Sequence, residues 1–197
     1  MTLSIVGSGN IGSTLARHFT EKGVPVSIAN NRGPSSLEPL CKKLGGSHLK
    51  AVELAEALQA EMVILALPFS SVPQLADRTD WAGRIVIDAT NAIDFPAFTP
   101  TDLDGKLSSE VVAELLSGAR VVKAFNTLPA AVLGENPKEA AGRRVIFLSG
   151  DDAEARAAVG AVIESIGFAP IDLGNLAAGR SQQFGEPLVM RNLLLQS

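Results

Sequence analysis

Short apolar runs alternate with segments of helical periodicity from residue 3 to about residue 172. The clearest apolar run covers residues 62–67 and is typical of a central parallel strand that is buried on both faces. The clearest helix covers residues 153–165, where apolar side chains recur every three or four positions. The pattern predicts strands over residues 3–6, 24–29, around 49, 62–67, 84–88, 121–125, 145–148 and 168–172. It predicts helices over residues 10–22, 35–44, 52–59, 153–165 and, as a short apolar segment, 187–196.

This alternation favours an α/β fold, in which helices cover both faces of a doubly wound, mostly parallel sheet of seven to eight strands. Residues 90–106 form an irregular stretch between two of the predicted strands. No linker, internal repeat or low-complexity tract interrupts the order. Residues 1–197 are therefore predicted to form a single domain, with a small C-terminal appendage from about residue 174.

A glycine-rich loop follows the first predicted strand directly, with the sequence Gly7-Ser8-Gly9-Asn10-Ile11-Gly12. At this spacing the first glycine makes a tight turn, the second lets the backbone approach a pyrophosphate, and the third lets the helix pack closely on the sheet. The helix that follows offers free N–H groups and a partial positive charge to the phosphates. Because a strand precedes the loop and a helix follows it, the motif predicts a dinucleotide site in a Rossmann-type fold.

The end of the second predicted strand indicates which dinucleotide is bound. Sites for NAD usually carry an acidic residue about 20 positions beyond the glycine loop, whereas here the first carboxylate after the strand is Glu38. Arg32 can instead pair with the 2′-phosphate of NADP(H), and Asn31 and the hydroxyl of Ser35 or Ser36 can donate hydrogen bonds to it. The alternative is a solvated turn with a serine that caps the next helix.

Three strand ends are candidates for the nicotinamide side of the site. The first is Leu67-Pro68-Phe69, where the proline offers a backbone wall for a ring, although an ordinary strand end has the same sequence character. The second is Asp88-Ala89-Thr90-Asn91, in which Asp88 can also simply cap a turn. The third contains Lys123, which needs an anionic partner or a route to water inside an apolar strand, and that partner could be a structural carboxylate.

Composition excludes several classes of function. The chain carries 17 Lys and Arg against 21 Asp and Glu, a net charge of −4 that argues against nucleic-acid and anionic-membrane partners. Cys41 is the single cysteine, so neither an intrachain disulfide nor a cysteine-rich metal site is expected. The longest apolar run, residues 62–69, is far shorter than the roughly 20 residues that span a bilayer. We therefore predict a soluble, cytoplasmic protein without a metal site.

Side chains that commonly act in catalysis are scarce. His18 is predicted to be a partly exposed surface residue of the first helix, and His48 lies at a weak strand. Neither forms a recognisable arrangement with a serine or cysteine, and Cys41 is interpreted as a small core or surface residue. Since the chain has no tyrosine, a Tyr–Lys dehydrogenase pair is excluded. No catalytic side chain is assigned, which is compatible with hydride transfer between two bound rings, a reaction governed by positioning.

Several segments together resemble one family. They are the glycine loop with its strand (residues 5–12), Asn31-Arg32, Leu65-Ala66-Leu67-Pro68, Ile87-Asp88-Ala89-Thr90-Asn91, Val122-Lys123-Ala124-Phe125-Asn126-Thr127 and the closing residues 172–180. In this order they are similar to the coenzyme F420-dependent NADP reductases, whose fold is also similar to the cytosolic domain of the STEAP ferric reductases. Two departures are the serines Ser35 and Ser36, where relatives carry a basic residue, and Ala92, where relatives often carry proline.

The resemblance implies a Rossmann domain with NADP along the strand ends, a deazaflavin or flavin against the nicotinamide, and a homodimer. It implies that the pyrophosphate is held by Gly7, Ser8, Gly9, Asn10, Ile11 and Gly12, and the 2′-phosphate by Asn31, Arg32 and Ser36. Leu67, Pro68, Asn91 and Ala92 would bracket the nicotinamide, with Lys123, Phe125 and Asn126 toward the second ring.

The sequence thus predicts an oxidoreductase that passes hydride between NADP(H) and coenzyme F420 or a flavin, a small-molecule redox co-substrate. One alternative is a non-enzymatic NADP(H)-binding sensor or subunit. The other is a small imine reductase related to pyrroline-5-carboxylate reductase. The latter is disfavoured because only about 25 residues follow the last predicted strand, too few for the helical domain that completes such a site.

Overall fold

The computed structural model describes residues 1–45 and 47–196. The strands are β1 (Leu3–Val6), β2 (Val26–Ala29), β3 (Leu49–Ala51), β4 (Met62–Leu65), β5 (Ile85–Asp88), β6 (Ile93–Asp94), β7 (Thr99–Pro100), β8 (Arg120–Ala124), β9 (Lys138–Glu139), β10 (Gly142–Gly150), β11 (Ala169–Asp172) and β12 (Leu194–Leu195). The α-helices are α1 (Asn10–Glu21), α2 (Glu38–Lys43), α3 (Leu54–Ala57), α4 (Ser108–Leu115), α5 (Ala130–Leu133) and α6 (Ala153–Ser165). Three 3-10 helices cover Pro34–Leu37, Phe69–Arg78 and Ala178–Gln182.

The main sheet has the strand order β11-β10-β8-β5-β4-β1-β2-β3. The six strands from β8 to β3 are parallel, whereas β10 runs antiparallel to β8 and parallel to β11. Strands β9 and β12 pair with the start of β10, and β6 and β7 form a separate hairpin. The prediction of a Rossmann-type, mostly parallel sheet of seven to eight strands is therefore confirmed, since the main path has eight strands.

The chain reverses its direction of winding between β3 and β4, because β4 returns to lie beside β1. In open α/β sheets a crevice forms outside the carboxyl ends of the strands at such a point. The loops after β1 and β4 therefore face each other across a potential ligand site.

Two apolar layers cover the sheet, and β4 contributes to both. Ile64 packs in one layer with Leu15 of α1 and Ile163 of α6, while Val63 packs in the other with Leu116 after α4. Because both faces of β4 are buried, apolar residues at every position are favourable, which explains the uninterrupted run in the sequence.

Two predictions near the edges of the fold are wrong. Residues 187–196 do not form a helix: residues 187–190 are turns, and β12 pairs with Arg143 and Arg144 of β10. The buried guanidinium of Arg144 fixes this segment, since it donates to Asn192 Oδ1 as well as to two carboxylates. The strand over residues 168–172 is consequently not the last one.

His18 is also misplaced by the sequence prediction, since it is buried and not at the surface. Helix α5 packs across α1 there, and His18 Nε2 lies 2.7 Å from the Leu133 carbonyl oxygen, which requires a proton on that nitrogen. The ring also meets Phe168 edge-on at 5.2 Å. In the part of the chain that the structure describes, no helix combines the length and the apolar character needed to cross a membrane.

Candidate functional site

The glycine loop after β1 has the tight geometry that its sequence predicts. Gly7 has φ +111°, and a Cβ there would lie 2.1 Å from the carbonyl oxygen of Ala66, which follows β4. A Cβ on Gly12 would lie 2.0 Å from the Gly7 carbonyl oxygen. Gly9 differs, because a Cβ there would meet nothing within 4 Å. Gly7 and Gly12 therefore permit close packing, and Gly9 leaves open space beside the loop.

Helix α1 begins directly at this open space. Its N-cap is Gly9, whose carbonyl oxygen accepts from the Ser13 amide at 2.9 Å, and no side chain caps the first turn. No acidic residue lies in that turn. The first amides of an α-helix have no partner within the helix and carry its positive dipole end. The loop and helix start together are suited to an anion such as a pyrophosphate.

A cavity of about 410 Å³ lies along the crevice between β1 and β4, within the usual size range of ligand pockets. Its walls are the glycine loop, the segment after β2, the segment after β4 and one face of the 3-10 helix Phe69–Arg78. Of the predicted site residues, those that line it are Gly7, Ser8, Gly9, Asn31, Arg32, Leu67 and Pro68. Among the described residues that line it, none is Asp or Glu. The cavity thus brings together the residues predicted to bind the pyrophosphate and those predicted to bind the 2′-phosphate.

Asn30 organises the segment after β2, a role that the sequence reasoning missed. It stands where many NAD sites carry a carboxylate, and its Nδ2 donates to Ser8 Oγ and Ser36 Oγ, both at 3.0 Å. Its Oδ1 accepts from the Arg32 amide at 2.8 Å. These bonds tie the glycine loop to the loop that carries Arg32. Only its position, directly after β2, could have indicated this role from the sequence.

Asn31 and Arg32 are exposed at the cavity, whereas Ser36 is placed differently from its prediction. The Ser36 hydroxyl is 2.7 Å from the Gly33 carbonyl oxygen, and the side chain does not line the cavity. In this arrangement the Ser36 hydroxyl stabilises the turn after β2, and its contact with a 2′-phosphate stays a prediction. Among the residues described, no carboxylate lies within ion-pair distance of Arg32.

The ends of β5 and β8 are joined by a pair of asparagines. Asn91 Nδ2 donates to the Asn126 carbonyl oxygen at 2.9 Å, and Asn126 Nδ2 donates to Asn91 Oδ1 at 3.1 Å and to the Gln182 carbonyl oxygen at 2.7 Å. Asn126 Oδ1 is buried and has no partner among the described residues. The structure therefore brings together two predicted site residues and ties them to the C-terminal segment. Ala92 is buried and lines a separate cavity of about 120 Å³ with Phe184.

Lys123 and Asp88 form an ion pair with no solvent exposure. Lys123 Nζ lies 2.8 Å from Asp88 Oδ2, 2.7 Å from the Thr90 carbonyl oxygen and 3.2 Å from Ser108 Oγ. Asp88 Oδ1 accepts from the Thr90 amide at 2.9 Å and its hydroxyl at 2.7 Å. Of the alternatives left open, the partner of Lys123 is a structural carboxylate, and Asp88 both pairs with it and caps a turn.

Lys123 and Phe125, which were predicted to lie toward a second ring, are both buried in this arrangement. Lys123 is fully buried, and Asp88 is the counter-ion that a buried ammonium requires. Phe125 is 1% exposed, with φ +63°, and packs in the core. Among the predicted residues of that side, Asn91 and Asn126 remain the candidates for ligand contact.

Comparison with known proteins links this site to a family. Residues 2–92 match the sequence model of the family described as NADP oxidoreductase coenzyme F420-dependent. This segment runs from β1 to just beyond β5, so it contains the glycine loop, Arg32 and Asn91. The chain is also 30% identical over 186 residues to the metalloreductase STEAP3 of Rattus norvegicus. That match takes in 90% of this chain but 35% of STEAP3, so the chain spans about a third of the relative's length.

Two solved structures are similar over nearly the whole chain. A hypothetical protein from Sinorhizobium meliloti is 55% identical, with a TM-score of 0.96 over 100% of this chain and 96% of the other. A protein from Arthrobacter sp. FB24, provisionally described as an F420-dependent NADP-reductase, is 29% identical, with a TM-score of 0.74 over 91% of this chain and 87% of the other. The similarity therefore extends beyond the segment that the family model matches.

Proposed function

We propose that the chain is a member of the family of NADP oxidoreductases described as coenzyme F420-dependent, and that it transfers hydride between NADP(H) and a deazaflavin or flavin. The observation that carries the proposal is the acid-free cavity, which joins a glycine loop to Arg32. When bound, NADP(H) supplies a nicotinamide ring that gives or accepts the hydride. The residues of the chain hold and orient the two rings, since no catalytic acid or base is required.

The residues at the adenosine end fit NADP(H). Gly9 leaves open space next to the unpaired amides of α1, where a pyrophosphate would be accepted. Arg32 lies at the same cavity without a carboxylate partner among the described residues, and Asn30 holds its loop. Asn30 is neutral where a carboxylate would repel a 2′-phosphate. We therefore assign the 2′-phosphate to Arg32 and Asn31.

The other end of the cavity suits a flat ring. Leu67 and Pro68 form its wall after β4, in accord with the family resemblance. Asn91 and Asn126 lie at the ends of the next two strands of the sheet, β5 and β8, where their amide groups hydrogen-bond to each other. We assign the nicotinamide to Leu67, Pro68 and Asn91, and the approach of the second ring to the side of Asn126. A homodimer is part of the proposal, and analytical ultracentrifugation tests it.

The test mixes the protein with NADPH and oxidised coenzyme F420 and follows loss of the visible absorbance of the deazaflavin. FMN, NADH and a cyclic imine are tested in parallel. Bleaching with NADPH, and much less with NADH, would support the proposal. If NADPH binds but neither deazaflavin nor flavin is reduced, the proposed reaction is wrong. A binding module is then indicated, or an imine reductase if the imine alone is consumed.

A variant pair tests the assignment of the cofactor. Arg32→Ala removes one charge-assisted hydrogen bond, which contributes about 1.5–3 kcal/mol, or about one to two decades of affinity for NADPH. The affinity for NADH should change far less. Lys22→Ala is the matched control, since it removes an exposed cation at the opposite end of α1. An unchanged ratio of NADPH to NADH affinity in Arg32→Ala would contradict the assignment.

A further inference from the structure

The 3-10 helix Phe69–Arg78 presents one face to the cavity of about 410 Å³ that contains the glycine loop. Ser71, Gln74, Leu75 and Arg78 line the cavity from this helix, at intervals of three, one and three residues. Val72 and Leu75 are buried against the sheet, which anchors the helix and fixes the direction of its other side chains. Arg78 is the last residue of the helix and is exposed. Its position at the cavity is thus set by packing of the helix.

Arg78 and Arg32 line the same cavity from different elements of the chain. Among the described residues, neither guanidinium has a carboxylate within ion-pair distance, although Asp77 and Asp80 are close to Arg78 in sequence. The described lining contains no acidic residue that could neutralise them. Arg78 Nε donates to the Gln74 carbonyl oxygen at 3.4 Å. Two guanidinium groups without a carboxylate partner favour an anion at the cavity that they share.

We propose that Arg78 is a second specificity residue for NADP(H), which binds the 2′-phosphate together with Arg32. This inference rests on the proposed function, because the adenosine end must occupy the cavity. A 2′-phosphate carries close to two negative charges and several acceptor oxygens, so it can accept hydrogen bonds from two guanidinium groups at once. Arg78 thus supplies a second cation from a different element of the chain.

Calorimetric titration with 2′,5′-ADP and with 5′-AMP tests the proposal. These probes share the adenosine and differ by the 2′-phosphate. Arg78→Ala should raise the dissociation constant of 2′,5′-ADP by about ten- to a hundredfold, the value of one charge-assisted bond, and leave that of 5′-AMP within about twofold. Arg78→Lys, which keeps the charge, should recover part of the affinity. Lys22→Ala should leave both constants unchanged.

Three outcomes would overturn the inference. Unchanged binding of 2′,5′-ADP to Arg78→Ala would show that Arg78 is a solvated helix end. Equal weakening of both probes would show that it stacks on the adenine. If Arg78→Lys binds as weakly as Arg78→Ala, charge is not what recognises the phosphate. If the wild-type protein does not prefer 2′,5′-ADP over 5′-AMP, the proposed function fails instead, which separates the two failures. Because Arg78 is exposed, the thermal midpoint should not change, and this measurement confirms that the variants are folded.

Discussion

Replacing Lys123 with methionine keeps a straight aliphatic side chain but removes the ammonium group that faces Asp88. In the wild-type protein the two charged atoms are 2.8 Å apart and both side chains are fully buried. The substitution leaves the Asp88 carboxylate enclosed without its counter-ion. Breaking a buried pair in this way costs about 3–5 kcal/mol. We expect the free energy of unfolding to fall by that amount.

Urea-induced unfolding, followed by far-ultraviolet circular dichroism, measures the effect. With a denaturant dependence of about 2 kcal/mol per molar urea, the midpoint should fall by about 1.5–2.5 M at constant slope. A fall of less than about 0.5 M would refute the reasoning, because solvent-exposed ion pairs contribute only about 0–1 kcal/mol. Lys22→Ala controls for the loss of a lysine at the surface.

The double variant Asp88→Asn, Lys123→Met separates the charge from the hydrogen bonds. The amide oxygen that Asp88→Asn introduces can still accept from the Thr90 amide and hydroxyl, as Asp88 Oδ1 does in the wild-type protein. No uncompensated charge then remains in the core. We expect this variant to be more stable than Lys123→Met by at least about 1 kcal/mol, a typical coupling for residues in contact. A double variant that is no more stable than Lys123→Met would show that the lost hydrogen bonds, and not the buried charge, dominate.

Two further predictions concern pH. Burial lowers the pKa of His18 below its ordinary value of 6.5, although the hydrogen bond to the Leu133 carbonyl acts in the opposite direction. Below pH 6.5 the unfolded state therefore binds more protons than the folded state, and the free energy of unfolding falls as the pH falls. His18→Gln keeps a donor for the carbonyl but does not titrate. Its urea midpoint should therefore decrease less than that of the wild-type protein between pH 7 and 5, and equal decreases would contradict this. The Arg120 guanidinium, with the Ala155 amide, lowers the pKa of Asp152 from 3.8 to about 2, so its stabilisation is present above pH 3.8 and is lost as the pH falls through 2. Near pH 5, Asp152→Asn should be less stable than the wild-type protein, and between pH 4 and 2 it should lose less further stability. Acid-induced unfolding measures both effects. An acid transition as steep as that of the wild-type protein would count against this cause.

The central strands could be predicted because burial on both faces leaves a direct sequence signal. Strand β4 is apolar throughout, and its position in the middle of the sheet explains this. Helix α4 was not predicted from the sequence. A glutamate three residues after the N-cap is a sequence signal for a helix start, and here the Glu110 side chain accepts from the Leu107 amide at 2.8 Å. The pairing of β12 with β10 left no periodicity to find, because it depends on tertiary contacts of Arg144.

The candidate site was predictable where it is local in sequence. The glycine loop and Arg32 lie within one strand–helix–strand unit, so spacing alone indicates their roles. Arg78 lies 46 residues after Arg32 and reaches the cavity only through the path of a 3-10 helix. Pro73 lies within that helix, and a proline in the interior of a segment argues against a helix when only the sequence is considered. A side chain that lines a cavity from such an irregular segment belongs to no sequence motif.

The register between β5 and β8 decides whether Lys123 is interpreted as a structural residue or as a ligand-binding residue. The sequence indicates that it needs an anion but does not indicate which one. In the sheet, β5 and β8 are neighbours, and their register places Asp88 directly beside Lys123. Lys123 thus secures the ends of two strands, from which Asn91 and Asn126 extend. Loss of activity in a Lys123 variant would consequently follow from unfolding and would not identify a catalytic group. Only variants compared at equal folded fraction, such as those of Arg32 and Arg78, report on the binding of the ligand itself.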